Sequence, residues 1–230
     1  MRYAIYFVPE PDTALARFGA AWLGRDIESG HAVAQPPVSG FDAGVLHALT
    51  AEPRRYGFHA TLKPPFALAP GRTEAQLLDA VAHLANTDAA FALPSLRLAA
   101  IGRFLALVPA AACPRINALA DSCVAALDAF RAPPSEGELA RRRAARLTAA
   151  QDALLVRWGY PYVFDEYRFH MTLTNSLEAT MRERLMPVLN ALAEPVASRP
   201  APVASLSVAA EPSPGSDFVL LKRVPLRTPR

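Results

Sequence analysis

Tyr56-Gly57-Phe58-His59-Ala60-Thr61-Leu62 returns later in the chain as Tyr167-Arg168-Phe169-His170-Met171-Thr172-Leu173, with five of the seven positions identical and His170 lying 111 residues after His59. Two further matches keep the same order. Ser95–Ala100 (SLRLAA) matches Ser205–Ala210 (SLSVAA) at an offset of 110, and Phe104-Leu105-Ala106-Leu107 matches Phe218-Val219-Leu220-Leu221 at 114. Both halves therefore read strand, helix, hairpin. Three collinear matches at nearly constant offset predict one bilobal domain over residues 1–230, with repeat halves at about 55–108 and 163–224. Two related β-rich lobes would face each other about a pseudo-twofold axis, with a cleft between them.

Side chains on a strand alternate faces with period two. His59, Thr61 and Lys63 then share one face of the first motif, and Phe58, Ala60 and Leu62 the other. In the second motif Arg168, His170, Thr172 and Thr174 share a face, opposite Phe169, Met171 and Leu173. The apolar faces belong to the core, so the polar faces line something wet. Pseudo-symmetry would bring two imidazoles and two hydroxyls to one small volume.

Phosphodiester hydrolysis uses such a set. A base takes a proton from water on one side of phosphorus, and an acid gives one to the leaving alkoxide on the other. Histidine suits both tasks because its ordinary pKa of about 6.5 keeps both protonation states accessible near neutrality. Thr61 and Thr172 can donate to the non-bridging phosphoryl oxygens. Lys63 and Arg168 could add positive charge on the same faces. Neither metal nor cofactor is needed, and H-x-T offers no local cluster of His, Cys, Asp or Glu of the kind a zinc site uses.

Two H-x-T motifs, one per half, resemble the signature of the two-histidine phosphoesterase superfamily. The strings Tyr56–Phe66 (YGFHATLKPPF) and Tyr167–Thr174 (YRFHMTLT) look like its bacterial branch encoded with phosphonate-utilisation genes. The resemblance covers essentially the whole chain. It implies an α+β fold of two antiparallel β lobes with outer helices, and it carries His59, Thr61, His170 and Thr172 to catalytic positions. Lys63, Arg168 and Thr174, which share the strand faces of the histidines, are the expected substrate contacts. It also implies a phosphoric diester hydrolase acting on a small cyclic phosphodiester or a phosphorylated sugar or nucleotide, within phosphonate metabolism. RNA-end processing of the 2′–5′ ligase kind and non-catalytic binding of a phosphate ligand are the rival readings, with RNA as the alternative partner.

The composition is 52% hydrophobic and 20% charged, ordinary for a globular chain with a real core. A formal charge of +3 suits a phosphate-bearing substrate, while nucleic-acid binders concentrate far more positive charge on one face. Cys113 and Cys123 fall in one helical segment, about 15 Å apart along its axis, too far for a disulfide. Two free thiols point to a reducing compartment. The apolar run before Pro9 is too short for a signal peptide, and no stretch reaches the ~18–20 apolar residues of a membrane span. The expectation is a cytoplasmic protein with a small phosphorylated substrate, no membrane association and no obligate protein partner.

The pattern predicts strands at Tyr3–Val8, Arg55–Lys63 and within Val163–Thr174, and hairpins at Leu93–Val108 and Val203–Val224. Helices are expected from Pro11, from Thr73 to about Asn86, over Pro114–Phe130, from Ser135 as far as Trp158, and over Leu177–Leu192. Residues 24–50 read as irregular. His31, His47 and His83 lack a motif and read as structural or surface residues. Arg141-Arg142-Arg143-Ala144-Ala145-Arg146 reads as a solvated helix face, or else as a cap over the cleft or a polyanion grip.

Overall fold

Strand β1 (Arg2–Phe7) is buried along nearly its whole length, from Tyr3 to Phe7. An unbroken apolar and aromatic run marks a strand covered on both faces. Its side chains divide between two apolar clusters. Tyr3, Ile5 and Phe7 enter the main core. Ala4, Tyr6 and Val8 enter a smaller cluster with Ile27 and Phe218.

The computed structural model describes residues 1–228. After β1 come α1 (Ala14–Leu23), α2 (Ala43–Leu49), α3 (Ala51–Tyr56), β2 (Ala60–Phe66), α4 (Glu74–Thr87), β3 (Phe91–Leu93), β4 (Leu96–Ile101) and β5 (Phe104–Pro109). They are followed by α5 (Pro114–Ala126), α6 (Glu136–Arg143), α7 (Ala149–Trp158), β6 (Met171–Thr172), α8 (Ala179–Ala197), β7 (Ala201–Val203), β8 (Ser205–Glu211) and β9 (Val219–Pro225). A four-stranded antiparallel sheet runs β2-β1-β8-β9, a three-stranded one runs β4-β5-β6, and β3 pairs with β7. The class is α+β, as the motifs imply.

The sheets do not follow the sequence halves. The four-stranded sheet joins the first motif's strand to the second half's hairpin, and the three-stranded sheet joins the second motif's strand to the first half's hairpin. β1, which has no repeat counterpart, stands between β2 and β8. Trp22 on α1 donates its indole N–H to the Leu173 carbonyl at 2.8 Å and so ties α1 to the second motif. The Asn175 carboxamide accepts from the Glu52 amide and donates to the Ala48 carbonyl, both at 2.8 Å. The two motifs are thereby held through α1, α2 and α3.

Several boundaries differ from the sequence reading. The irregular stretch before residue 50 contains α2, capped by Asp42, and α3 follows it where the second strand was expected to begin. Strand β2 runs on through Pro64 and Pro65. Both prolines are tolerated because they fall on an edge strand where the β1–β2 register slips between Ile5↔Lys63 and Tyr3↔Phe66, outside the regular ladder. The helix expected from Ser135 to Trp158 breaks in two. Arg146 adopts φ 54°, and Thr148 starts α7 with its own capping box to Gln151. In the second motif only Met171 and Thr172 pair as strand. Cys113 and Cys123 are free thiols.

Candidate active site

Each histidine is fixed by the residue two before it. His59 Nδ1 lies 2.9 Å from the Gly57 carbonyl oxygen, and His170 Nδ1 lies 2.8 Å from that of Arg168. A carbonyl can only accept, so Nδ1 carries the proton in both rings and Nε2 is the free, reactive nitrogen. Thr61 Oγ1 stands 3.2 Å from His59 Nε2 and donates to it in the neutral ring.

Two glycines make this setting possible. Gly57 has φ 74°, and a Cβ there would meet Ile27 Cβ at 2.6 Å, so only glycine turns the chain from α3 into the motif with its carbonyl facing His59. At Gly19 of α1 a Cβ would lie 1.8 Å from the Phe58 ring. The bare helix surface there lets Phe58 dock in the core, which points its neighbour His59 the other way.

The β1–β2 register pairs Tyr6 with Thr61. Tyr6 consequently stacks on His59, with ring centroids 3.7 Å apart and planes 28° from parallel. Tyr6 holds the imidazole plane, and the motif strings alone did not point to it. The one available signal was a single polar-tipped aromatic on the Ala4-Tyr6-Val8 face of β1. Burial drives the His59 pKa down to about 4, against a raising influence from the Gly57 carbonyl and with a further lowering by His170. His59 is therefore neutral at physiological pH, and His170 is near enough for its charge to be felt there. His170 is half-buried beside Phe104, at 5.8 Å between ring centroids.

Strands β2 and β6 pack side by side without a hydrogen-bonded ladder. His59, Thr61 and Thr172 line one cavity of about 720 Å³. His170 and Arg168 line a second of about 380 Å³ with Phe104 and Tyr167. Thr61, Pro64 and Tyr160 line both, so the cavities adjoin. Tyr56 lines the first cavity while stacking on Phe218. Tyr167 borders the second.

Two expected ligand contacts are elsewhere. Lys63 is 1% exposed, and its Nζ donates to the Val124 carbonyl at 3.0 Å, with Asp128 at 4.0 Å. The β1–β2 register slips between Ile5↔Lys63 and Tyr6↔Thr61, which puts an extra β2 residue between Thr61 and Lys63 and breaks the alternation. Leu62 and Lys63 are consequently both buried. Burial lowers the Lys63 ammonium to about 8, with Asp128 opposing the shift. Thr174, 1% exposed, accepts from the Leu105 amide at 3.0 Å and donates to the Asn175 carbonyl. The strand has ended at Thr172, so parity no longer applies to it.

The wall beside His59 is ionic. Glu211, 1% exposed, takes Arg2 on one carboxylate oxygen and Arg55 on the other, and accepts the Gly215 amide at 3.0 Å. Burial alone would raise its pKa, but these partners hold it at about 2. Arg141 and Arg142 of α6 line the same cavity. Among the described residues no three His, Cys, Asp or Glu side chains are grouped to hold a metal ion, and no helix is long and apolar enough to cross a membrane.

The α+β fold sets the two H-x-T motifs at the start of neighbouring strands, at the border of adjoining cavities. The chain belongs to the family described as "Protein of unknown function (DUF1045)", whose model matches residues 61–219. It is similar to the ribose 1,5-bisphosphate phosphokinase PhnN of Janthinobacterium sp. (strain Marseille), 42% identical over 228 residues, covering 97% of this chain and 50% of the relative. It is also similar to the protein of that name from Laribacter hongkongensis (strain HLHK9), 39% identical over 227 residues, covering 97% and 52%. The chain thus spans about half the length of the curated relatives it matches. Among solved structures it is similar to E. coli LigT complexed with 3'-AMP, at 14% identity and a TM-score of 0.44, covering 98% of this chain and 97% of that one.

Proposed function

We propose that this chain is a metal-independent phosphoesterase that opens a small cyclic phosphodiester on a phosphorylated sugar or nucleotide. His59 is the general base and His170 the general acid. The observation that carries this reading is the matched setting of the two imidazoles: each is pinned at Nδ1 by the carbonyl two residues before it, leaving Nε2 for chemistry. The roles divide by environment. A base must be neutral, and burial keeps His59 so. Its Nε2 takes a proton from water as the water oxygen bonds to phosphorus. The bond from phosphorus to the ring alkoxide breaks, and His170 passes the Nε2 proton of its charged form to that oxygen. The product is a phosphomonoester with one free hydroxyl. Thr61 turns its hydroxyl from His59 to a phosphoryl oxygen, and Thr172 supplies a second donor. Both proton transfers are served by imidazoles, so no metal-bound water is required.

The curated relatives are named for a kinase acting on ribose 1,5-bisphosphate. This chain's two lysines, Lys63 and Lys222, each follow a leucine, so it has no Gly-x-x-x-x-Gly-Lys phosphate loop. We assign the kinase activity to the rest of the relatives' length. Water-opening of a cyclic phosphodiester on ribose 5-phosphate leaves a ribose bisphosphate, the class of compound such a kinase consumes. This agrees with the phosphonate setting that the motifs imply. RNA-end processing is less favoured, because Arg143 is forked onto Asp152 and does not extend a basic track with Arg141 and Arg142.

EDTA-treated protein should convert a ribose 5-phosphate 1,2-cyclic phosphate or a nucleoside 2′,3′-cyclic phosphate to its monoester, followed by ³¹P NMR. Failure on every cyclic diester, or turnover lost on chelation and restored by zinc or manganese, would rule the reading out.

A further inference from the structure

Four arginines and two glutamates line the cavity that holds His59: Arg2, Arg55, Arg141 and Arg142, against Glu138 and Glu211. Their charges are not evenly spent. Glu211 is used on both oxygens by Arg2 and Arg55. Glu138 completes the N-terminal capping box of α6 by accepting from the Ser135 amide at 3.2 Å, and its other oxygen is 4.0 Å from Arg141. Arg143 is forked onto Asp152 and pins α6 to α7. Arg142 alone of this group has no carboxylate partner among the described residues. Its guanidinium lies over the Tyr160 ring, 4.5 Å from the centroid. That stack fixes the guanidinium plane while leaving its N–H donors uncommitted, the state in which arginine grips phosphate as a fork.

The placement says which phosphate. Glu138, Arg141 and Arg142 line the His59 cavity, and no α6 residue lines the His170 cavity. The reacting phosphorus must lie between the two histidines, at the border marked by Thr61, and there the two threonines already supply donors. A cavity of about 720 Å³ has room for a whole sugar phosphate beyond that point. No residue on α6 is buried, so packing does not account for its position.

We propose that Arg142, held on Tyr160 and assisted by Arg141, forms a second anion subsite that binds a phosphomonoester carried elsewhere on the same substrate. The subsite rests on the phosphoesterase reading for its location but makes a separate demand: the substrate bears two phosphates, one reacting and one anchoring. The anchoring group keeps small cyclic phosphates without it from binding well.

The test is equilibrium binding of products, which needs no turnover and stands even if the histidine mechanism fails. Ribose 1-phosphate and ribose 1,5-bisphosphate differ only by the anchoring phosphate, and both are titrated calorimetrically into wild type and Arg142→Met. Wild type should bind the bisphosphate at least tenfold more tightly than the monophosphate. Arg142→Met should erase most of that difference, with monophosphate affinity changed less than about threefold. The subsite is overturned if the advantage survives in Arg142→Met, if both ligands weaken equally (Arg142 would then serve the reacting phosphate), or if neither ligand binds wild type.

Discussion

His59→Ala and His170→Ala are each expected to lower kcat by about 10²–10⁴-fold on a cyclic phosphodiester, the usual contribution of a positioned acid or base. The double variant should lose much less than the product of the two, because groups acting in one step are not additive. Folding should change little. Both side chains are only half-buried at the cleft, and their recorded hydrogen bonds are short-range ones to Gly57, Thr61 and Arg168. Steady-state kinetics on folded single and double variants checks this. Turnover near wild type in either single variant would remove that histidine from the chemistry.

Glu211→Gln should cost about 3 kcal/mol of stability, the lower range for breaking a buried ion pair by removing one partner. The carboxylate closes three contacts at once, to Arg2 on β1, Arg55 on α3 and the Gly215 amide. The amide side chain keeps the shape but leaves two guanidiniums without their counter-charge. For a chain of this size that corresponds to a Tm lower by roughly 6–12 °C. The pH dependence carries a definite sign. The folded pKa of about 2 lies below the ordinary 4.5, so the stabilisation is fully present above 4.5 and is lost as pH falls towards 2. Thermal melts should show the wild-type advantage at neutral pH and a narrowing gap through that acid window. A gap independent of pH would mean that Glu211 acts through packing alone.

Much of the site was legible because it is written twice. The repeat named His59, Thr61, His170 and Thr172 as candidates; the first two and Thr172 line one cavity, while His170 lines the adjoining one and not the single volume expected. Parity failed where the strands stop being regular. A bulge between Thr61 and Lys63 turned the lysine inward, and the end of β6 at Thr172 sent Thr174 to the Leu105 backbone. Local periodicity cannot register an extra residue that only the pairing with β1 reveals. Tyr6 was missed for a related reason: its role depends on a cross-strand neighbour, which no motif on β1 announces. The exchange of hairpins between sheets was equally hidden, since a repeat records likeness and not which copy pairs with which. The prolines at 64 and 65 looked like a strand end because the sequence does not say that β2 is an edge.

The pH dependence of kcat/KM on the best cyclic phosphodiester tests the division of labour between the two histidines most directly, because it reports the ionisations of the free enzyme. His59 must be neutral to act as base, and burial sets its pKa at about 4, so the acid limb should fall near pH 4 and not near 6.5. His59→Ala should abolish the acid limb, and His170→Ala should keep it while lowering the plateau. A profile without an acid limb near pH 4, an acid limb that persists in His59→Ala, or no diester turnover at any pH would contradict His59 as the base.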